Sequence, residues 1–482
     1  MREELAFNAT HFDDLPEADR LWIVIVGAAF TLLLGFGWGA NGLANIFATS
    51  VGAGVINDRQ AKYCAIGFQI VAFLYIALTS AHISFDNPLS VIYNESANDV
   101  IIGQVSFIIS SAVWVCCTSV FGVPVSSRHC ITGSAIGFIL IVGGFGSLKW
   151  ERIQVLALSL LLTPLITGVL AFLALYLLDI ILLRKQFKHN LLTYTVATLH
   201  MISSTLFTFG LLYGISCDFG IVPLPLQYSG LCSVIVGLIV FLIIVFFIDP
   251  MLHVQVEYDE QKAKDNEVNR DDHSFRVNRF KVKKINMLPK KFMISIDGKT
   301  PITNHISPEG MDVIKEKVGP KIQKHIRSDV NNINSVTKYA FSTVLFFTCG
   351  FMAFIQAVEN IRLSALPLNI LIKVYQHEVI TETTSIPPLL ALYVTPVICC
   401  GIYFMGGRVM NTVAFDLGCN NVITHLMAQL ATTIVINMSP TLNVYHSNSY
   451  CLVFAMICLG FVPQNGKMNW KALRNIVIVF KP

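Results

Sequence analysis

Charge is scarce in this chain of 482 residues: Asp, Glu, Lys and Arg make up 13% of it, against 54% hydrophobic residues. Between Leu21 and Asn57 there is no charged side chain at all. Apolar runs of about 20 residues recur along the rest, each long enough to cross a bilayer. A soluble domain is thereby excluded, and no nucleic acid is expected among the partners. Metal-spaced cysteines are lacking too. The 12 cysteines fall mostly inside apolar runs, and none shows C-x-x-C spacing. They read as small apolar packing residues. No nucleophile motif and no His/Cys/Glu cluster stands out, so neither an enzyme nor a resident cofactor or metal is expected. The first twenty residues lack the basic start and cleavage site of a signal peptide, and the first apolar run is expected to act as an uncleaved anchor.

What is present is hydrophobic length, in runs near 21–57, 63–83, 100–123, 131–146, 155–183, 191–216, 226–247, 339–358, 386–404, 422–436 and 451–462. They predict an all-α, polytopic membrane protein of about ten to twelve transmembrane or re-entrant helical segments. The stretch 84–99 has no Lys or Arg and carries the sequon Asn94-Glu95-Ser96, and Asn8-Ala9-Thr10 precedes the first run. Two crossings separate Asn8 from Asn94, so both glycosylation candidates face one side, the lumen or exterior. Basic residues at Arg59, Lys62, Arg184, Lys185 and Lys188 mark the opposite, cytoplasmic edge. The stretch 251–336 holds about 16 Lys and Arg against about 12 Asp and Glu. It reads as a basic cytoplasmic loop whose patches can attract anionic headgroups. The expected organisation is a membrane repeat over 1–250, the loop over 251–336, and a smaller membrane repeat over 337–482.

One stretch organises the first repeat: Gly39-Ala40-Asn41-Gly42-Leu43-Ala44-Asn45, running into Thr49-Ser50-Val51-Gly52. Asn41 and Asn45 share one helical face. Gly35, Gly37, Gly39 and Gly42 weaken a helix there. Two readings stand side by side. In one, the helix breaks and its amides line a site near the bilayer midplane, as in many secondary transporters. In the other, a glycine-rich helix packs tightly, with the asparagines as interhelical glue. Further on, Pro124-Val125-Ser126-Ser127 places two hydroxyls ahead of an apolar run. They serve either as an ordinary N-cap or as anion donors at a helix start.

These residues together resemble the inorganic phosphate transporter (PiT) family of cation-coupled phosphate symporters. That family's first hallmark, near G-A-N-D-V-A-N then T-S-V-G, is matched by residues 39–45 and 49–52. Its second, near P-V-S-T-T-H, is matched by Pro124-Val125-Ser126-Ser127-Arg128-His129. Trp150 with Thr163-Pro164-Leu165-Ile166-Thr167-Gly168 is similar to a third stretch. Gly407-Arg408-Val409 through Thr412-Val413 and Leu417 is similar to a fourth. The resemblance implies two inverted repeats, each carrying both hallmarks. The second copy of the first hallmark lies in Gln356-Ala357-Val358-Glu359-Asn360-Ile361-Arg362, and that of the other in Asn443-Val444-Tyr445-His446-Ser447-Asn448. Where the family has an aspartate this chain has Gly42; Glu359 replaces an amide, Asn360 a carboxylate, and Arg128 a threonine.

By this resemblance the chain is expected to be a secondary transporter of inorganic phosphate, with sodium as the symported ion. Ser126, Ser127 and Arg128 would hold phosphate, and Asn41, Asn45, Glu359 and Asn360 the coupling cation. Gly42 in place of the aspartate leaves room for proton coupling through Glu359. The divergent second half leaves room for a phosphate sensor that binds without translocating. Arg128 has three readings: a bidentate phosphate clamp, a partner of Glu359, or a side chain snorkelling to the headgroups. Arg362, three residues after Glu359, offers a local ion pair. Expected partners are phosphate, sodium or a proton, and the lipid bilayer, with a homodimer allowed, in the plasma membrane.

Overall fold

A computed structural model describes residues 18–79, 85–86, 97–181, 189–214, 224–248, 335–376, 383–416, 421–439, 441–442 and 444–460. Asn8, Asn94, most of the basic stretch 251–336, Leu417, Asn443 and residues 461–482 lie outside the described residues. Two compact units are distinguished: Met1–Phe241 with Phe341–Pro482, and Leu242–Ala340. The site developed below lies wholly in the first unit.

The helices are α1 (Ala18–Gly52), α2 (Asp58–Thr79), α3 (Ala97–Val120), α4 (Ser127–Val142), α5 (Trp150–Ile181) and α6 (His189–Phe209). They are followed by α7 (Leu226–Ile243), α8 (Ser335–Tyr375), α9 (Pro388–Phe404), α10 (Gly406–Asn411), α11 (Val422–Met438) and α12 (Asn448–Gly460). Seven of these are long and apolar enough to cross a membrane; α9 with α10, bent by 52°, makes an eighth, and α4, α11 and α12 are shorter apolar helices. This all-α, multi-pass architecture is the expected one. The strands among the described residues are one two-residue antiparallel pair, Phe85–Asp86 against Thr383–Thr384. Large apolar side chains such as Leu78, Ile141, Leu158 and Phe246 face outward, as a lipid-solvated surface requires.

The glycine-rich stretch does not break its helix. α1 runs unbroken for 35 residues through Gly35, Gly37, Gly39 and Gly42, which corrects the broken-helix reading and its promise of freed carbonyls. A mid-helix glycine costs about 1 kcal/mol, whereas a break in hydrocarbon strands backbone groups at several kcal/mol each. The intact ladder therefore wins. The glycines act instead on packing. A methyl group at Gly39 would collide with the Ile398 carbonyl oxygen on α9, and one at Gly401 with the Phe36 carbonyl oxygen on α1. The two helices cross backbone to backbone, which only small residues allow. α1 also packs on α3 and α10, and so stands at the centre of the unit.

α8 likewise exceeds expectation. It spans 41 residues and runs past position 358 to Tyr375, with Pro367 inside it, so Gln356, Glu359 and Asn360 sit mid-helix rather than at a span's end. In contrast, α4 and α12 have 16 and 13 residues. At about 1.5 Å per residue they fall short of the ~30 Å hydrocarbon layer. Both begin inside the protein, at residues buried to 3% and 2% exposure, Ser126 and Ser447.

Candidate functional site: two helix starts around a buried carboxylate

α3 and α4 form a hairpin whose tip is built by short-range chemistry. Gly122 takes a left-handed conformation (φ 71°), its N–H donating to Ser119 O while Val123 N–H donates to Thr118 O. Glycine is favoured at such a helix end. Pro124 follows and cannot continue the helix. Ser126, in an extended conformation, then caps α4 by accepting from His129 N–H at 3.3 Å. The N-cap reading of Ser126 therefore holds.

The tip is held from α1 by Asn41. Its Oδ1 accepts from Val125 N–H at 2.9 Å, and its Nδ2 donates to Val123 O at 3.0 Å and to Ser119 Oγ at 3.3 Å. One amide thus satisfies the backbone on both sides of Pro124, groups with no helical partner of their own. Trp38, Ala112, Val115, Val125, Ile131 and Leu363 pack around this clamp. Ser110 and Ser111 each bond Ser134 and hold α4 against α3.

α12 starts the same way. Ser447 Oγ accepts from Tyr450 N–H at 3.4 Å, the third residue on, and Cys451 N–H donates to Ser447 O. The two starts touch. Ser449 Oγ donates to Val125 O at 2.9 Å, and the His129 and Tyr450 rings lie 4.2 Å apart. α5, with Pro164 inside it, backs α12: a methyl group at Gly168 would press on Phe454 at 2.8 Å. The Gly407-Arg408-Val409 motif forms the bend after α9, and Arg408 Nη1 reaches Val120 O at 3.4 Å, at the C-terminus of α3.

Glu359 of α8 lies where these starts converge. Its Oε1 accepts from Arg128 Nε at 2.9 Å, and its Oε2 from Asn448 Nδ2 at 3.1 Å. Side-chain exposure is 20% for Arg128 and 9% for Glu359, so the pair is largely buried. Desolvating two charges is costly, and each needs the other there. Of the three readings of Arg128, pairing with Glu359 is the one this structure contains; the snorkelling reading is overturned, because a buried carboxylate outcompetes the headgroups. Asn448 Nδ2 also donates to Gln356 Oε1 at 2.9 Å, which receives Asn45 Nδ2 at 3.4 Å. Gln356 Nε2 in turn donates to Asn360 Oδ1 at 3.1 Å. The Asn360 amide lies against Gly42: a methyl group there would meet it at 3.2 Å. A larger side chain at Gly42 would have to displace that amide.

The sequence-selected residues Asn41, Asn45, Ser126, Arg128, Glu359 and Asn360 are thus brought into one buried neighbourhood, with Ser127 half-buried at the first position of α4. Among the described residues Ser127 Oγ takes no hydrogen bond, and Asn45 Oδ1 takes none. Ser447, Asn448 and Ser449 were not selected as site residues. Ser447 and Asn448 had a signal, since they close the second copy of the second hallmark, and Ser447 is also a hydroxyl ahead of the apolar run that begins at Cys451; that Asn448 meets Glu359 is decided by the fold alone.

A family profile described as "Phosphate transporter family" matches residues 38–480. The chain belongs to the phosphate transporter family. Curated relatives include the sodium-dependent phosphate transporter 1 of Mus musculus, 30% identical over 251 residues, which is 52% of this chain and 37% of that protein. A sodium-dependent phosphate transporter of Plasmodium falciparum is 31% identical over 176 residues, 35% of this chain and 25% of that one. A putative phosphate permease of Pyrococcus horikoshii is 31% identical over 156 residues, 32% of this chain and 37% of that protein. The chain thus spans between a quarter and little more than a third of the length of these curated relatives. A solved structure titled "The sodium-dependent phosphate transporter" aligns with a TM-score of 0.65 at 20% identity, covering 95% of this chain and 94% of that one. That likeness establishes a shared fold. This member of the phosphate transporter family is an integral, multi-pass membrane protein of a transporter family.

Proposed function

We propose that the chain is a secondary transporter of inorganic phosphate in the plasma membrane, with sodium as the symported ion. Two inverted halves would alternate access around the neighbourhood of α4, α12 and α8. The observation that carries this reading is the meeting of two helix N-termini beside a buried guanidinium. Phosphate near neutral pH carries one or two negative charges, and helix starts supply unpaired N–H groups and positive potential to an anion. Ser127 Oγ, Arg128 and Asn448 add donors at the same place. Ser126 shapes the start by capping it. For the cation, Asn45 Oδ1 has no hydrogen bond among the described residues. Asn360 and the second lone pair of Asn41 Oδ1 lie on the same network.

The test is uptake of radiolabelled phosphate into cells expressing the chain, in sodium medium and with sodium replaced by choline. Sodium-dependent uptake above vector-only cells is expected. Equal uptake in choline refutes the sodium assignment and favours a proton through Glu359; no uptake in either medium refutes transport. The closed Arg128–Glu359 pair favours a second reading, a sensor that binds phosphate without moving it. Binding to purified protein, without counterflow in liposomes, would establish that instead.

A further inference from the structure

Both oxygens of Glu359 are held, and the donors come from two different helix starts. Arg128 is the second residue of α4 and Asn448 the first of α12. Two converging helix N-termini and a guanidinium are an environment built for an oxyanion. Here the anion inside it is part of the chain. A second observation bears on what else fits. Asn448 is 7% exposed, and its orientation is fixed because only its amide nitrogen can donate to a carboxylate. Nδ2 is used twice, to Gln356 and to Glu359, while Oδ1 is buried with no partner. Nδ1 of His446, at 4% exposure, is also without one. His446 lies within electrostatic reach of Arg128. A buried acceptor without a donor is a cost that native proteins avoid. Glu359 cannot relieve it, because an ionised carboxylate has no proton to give.

We propose that Arg128, Asn448 and the first turns of α4 and α12 form an oxyanion site already occupied by the chain's own Glu359 carboxylate. A tetrahedral oxyanion that still carries a proton binds there by displacing it. The inference rests on the phosphate reading above and deepens it. Glu359 stands in for the anion's charged oxygens, satisfying the donors and neutralising Arg128 while the site is empty of ligand. An incoming phosphate replaces both oxygens and adds what Glu359 lacks, a P–OH group that can donate to Asn448 Oδ1. Phosphate and arsenate keep one or two protons near neutral pH, and sulfate keeps none. The orphaned acceptor therefore selects for the protonated anion, because a site built to pair a hydroxyl rejects the analogue lacking it. Competition with a tethered carboxylate also weakens apparent affinity by the fraction of molecules in which the site is open.

The experiment measures equilibrium binding of radiolabelled phosphate to the purified full chain in nanodiscs. Wild type is compared with Glu359→Gln and Glu359→Asp, and sulfate and arsenate serve as competitors. If the site is open in about 1–10% of wild-type molecules, removing the carboxylate tightens phosphate binding about 10- to 100-fold. The shortened Asp is expected to give a smaller gain and carries the test if the Gln variant does not fold. Arsenate should compete with phosphate, and sulfate at least tenfold less well. Unchanged or weaker binding in both folded variants overturns the displacement, as sulfate competing equally overturns the role of Asn448, while wild-type phosphate binding leaves the proposed function standing. Absence of phosphate binding in all three proteins overturns both.

Discussion

Replacing Asn41 with alanine tests the clamp on the α3–α4 hairpin tip against the proposed part of its amide in cation binding. The clamp consists of three hydrogen bonds: from Val125 N–H, to Val123 O and to Ser119 Oγ. Removing the amide strands two backbone groups at a buried turn, each worth about 1–3 kcal/mol when left unmade. The loss is therefore about 2–6 kcal/mol. A floor comes from membrane proteins, where single interhelical hydrogen bonds average about 0.6 kcal/mol, so three of them give about 2 kcal/mol. Asn41→Asp is expected to do no better, since it keeps the acceptor for Val125, loses both donations and buries a charge. The assay is unfolding in mixed micelles with rising dodecyl sulfate, followed by tryptophan fluorescence, to which Trp38, in the same buried cluster as Val125, contributes. Asn41→Ala should unfold at markedly lower dodecyl sulfate. If it instead unfolds with the wild type but loses sodium-dependent uptake, the clamp is energetically idle and the amide acts on the cation alone.

The remaining expectations follow from the same contacts. Gly39→Ala should abolish monodisperse protein, because its methyl group meets the Ile398 backbone carbonyl rather than a side chain that can turn away. Gly67→Ala on α2, where a methyl group meets nothing within 4 Å, should be neutral or stabilising by up to about 1 kcal/mol; equal behaviour of the two variants in size-exclusion profiles would refute the backbone crossing. Arg128→Gln leaves Glu359 buried without its counter-charge, a loss of about 3–5 kcal/mol, whereas Arg128→Gln with Glu359→Gln should recover most of it. Unfolding of the double variant as early as Arg128→Gln alone would mean that the two charges are not coupled.

Much of the site was legible in residues alone. The hydroxyl of Ser126 ahead of an apolar run announced a helix start, because caps are decided within a few residues. Asn41 and Asn45 could be placed on one face for the same reason. Less legible were the consequences of glycine. A stretch such as Gly35–Gly42 lowers helix propensity whether it breaks or packs, and the choice depends on a neighbour. Here α9 brings Gly401 against Phe36, and the close crossing is possible only with the helix intact.

The chain's own pattern thus determined the membrane class, the approximate limits of most spans and the helix starts, since hydrophobic length and capping act locally along the sequence. Tertiary structure alone decided the partner of each polar group. Glu359 has Arg362 three residues away in sequence, yet the guanidinium that holds it in this structure is Arg128, 231 positions distant, and its second donor comes from the start of α12. In hydrocarbon a buried charge must be paired with whatever the packing brings within reach, and that is a property of how α4, α8 and α12 meet.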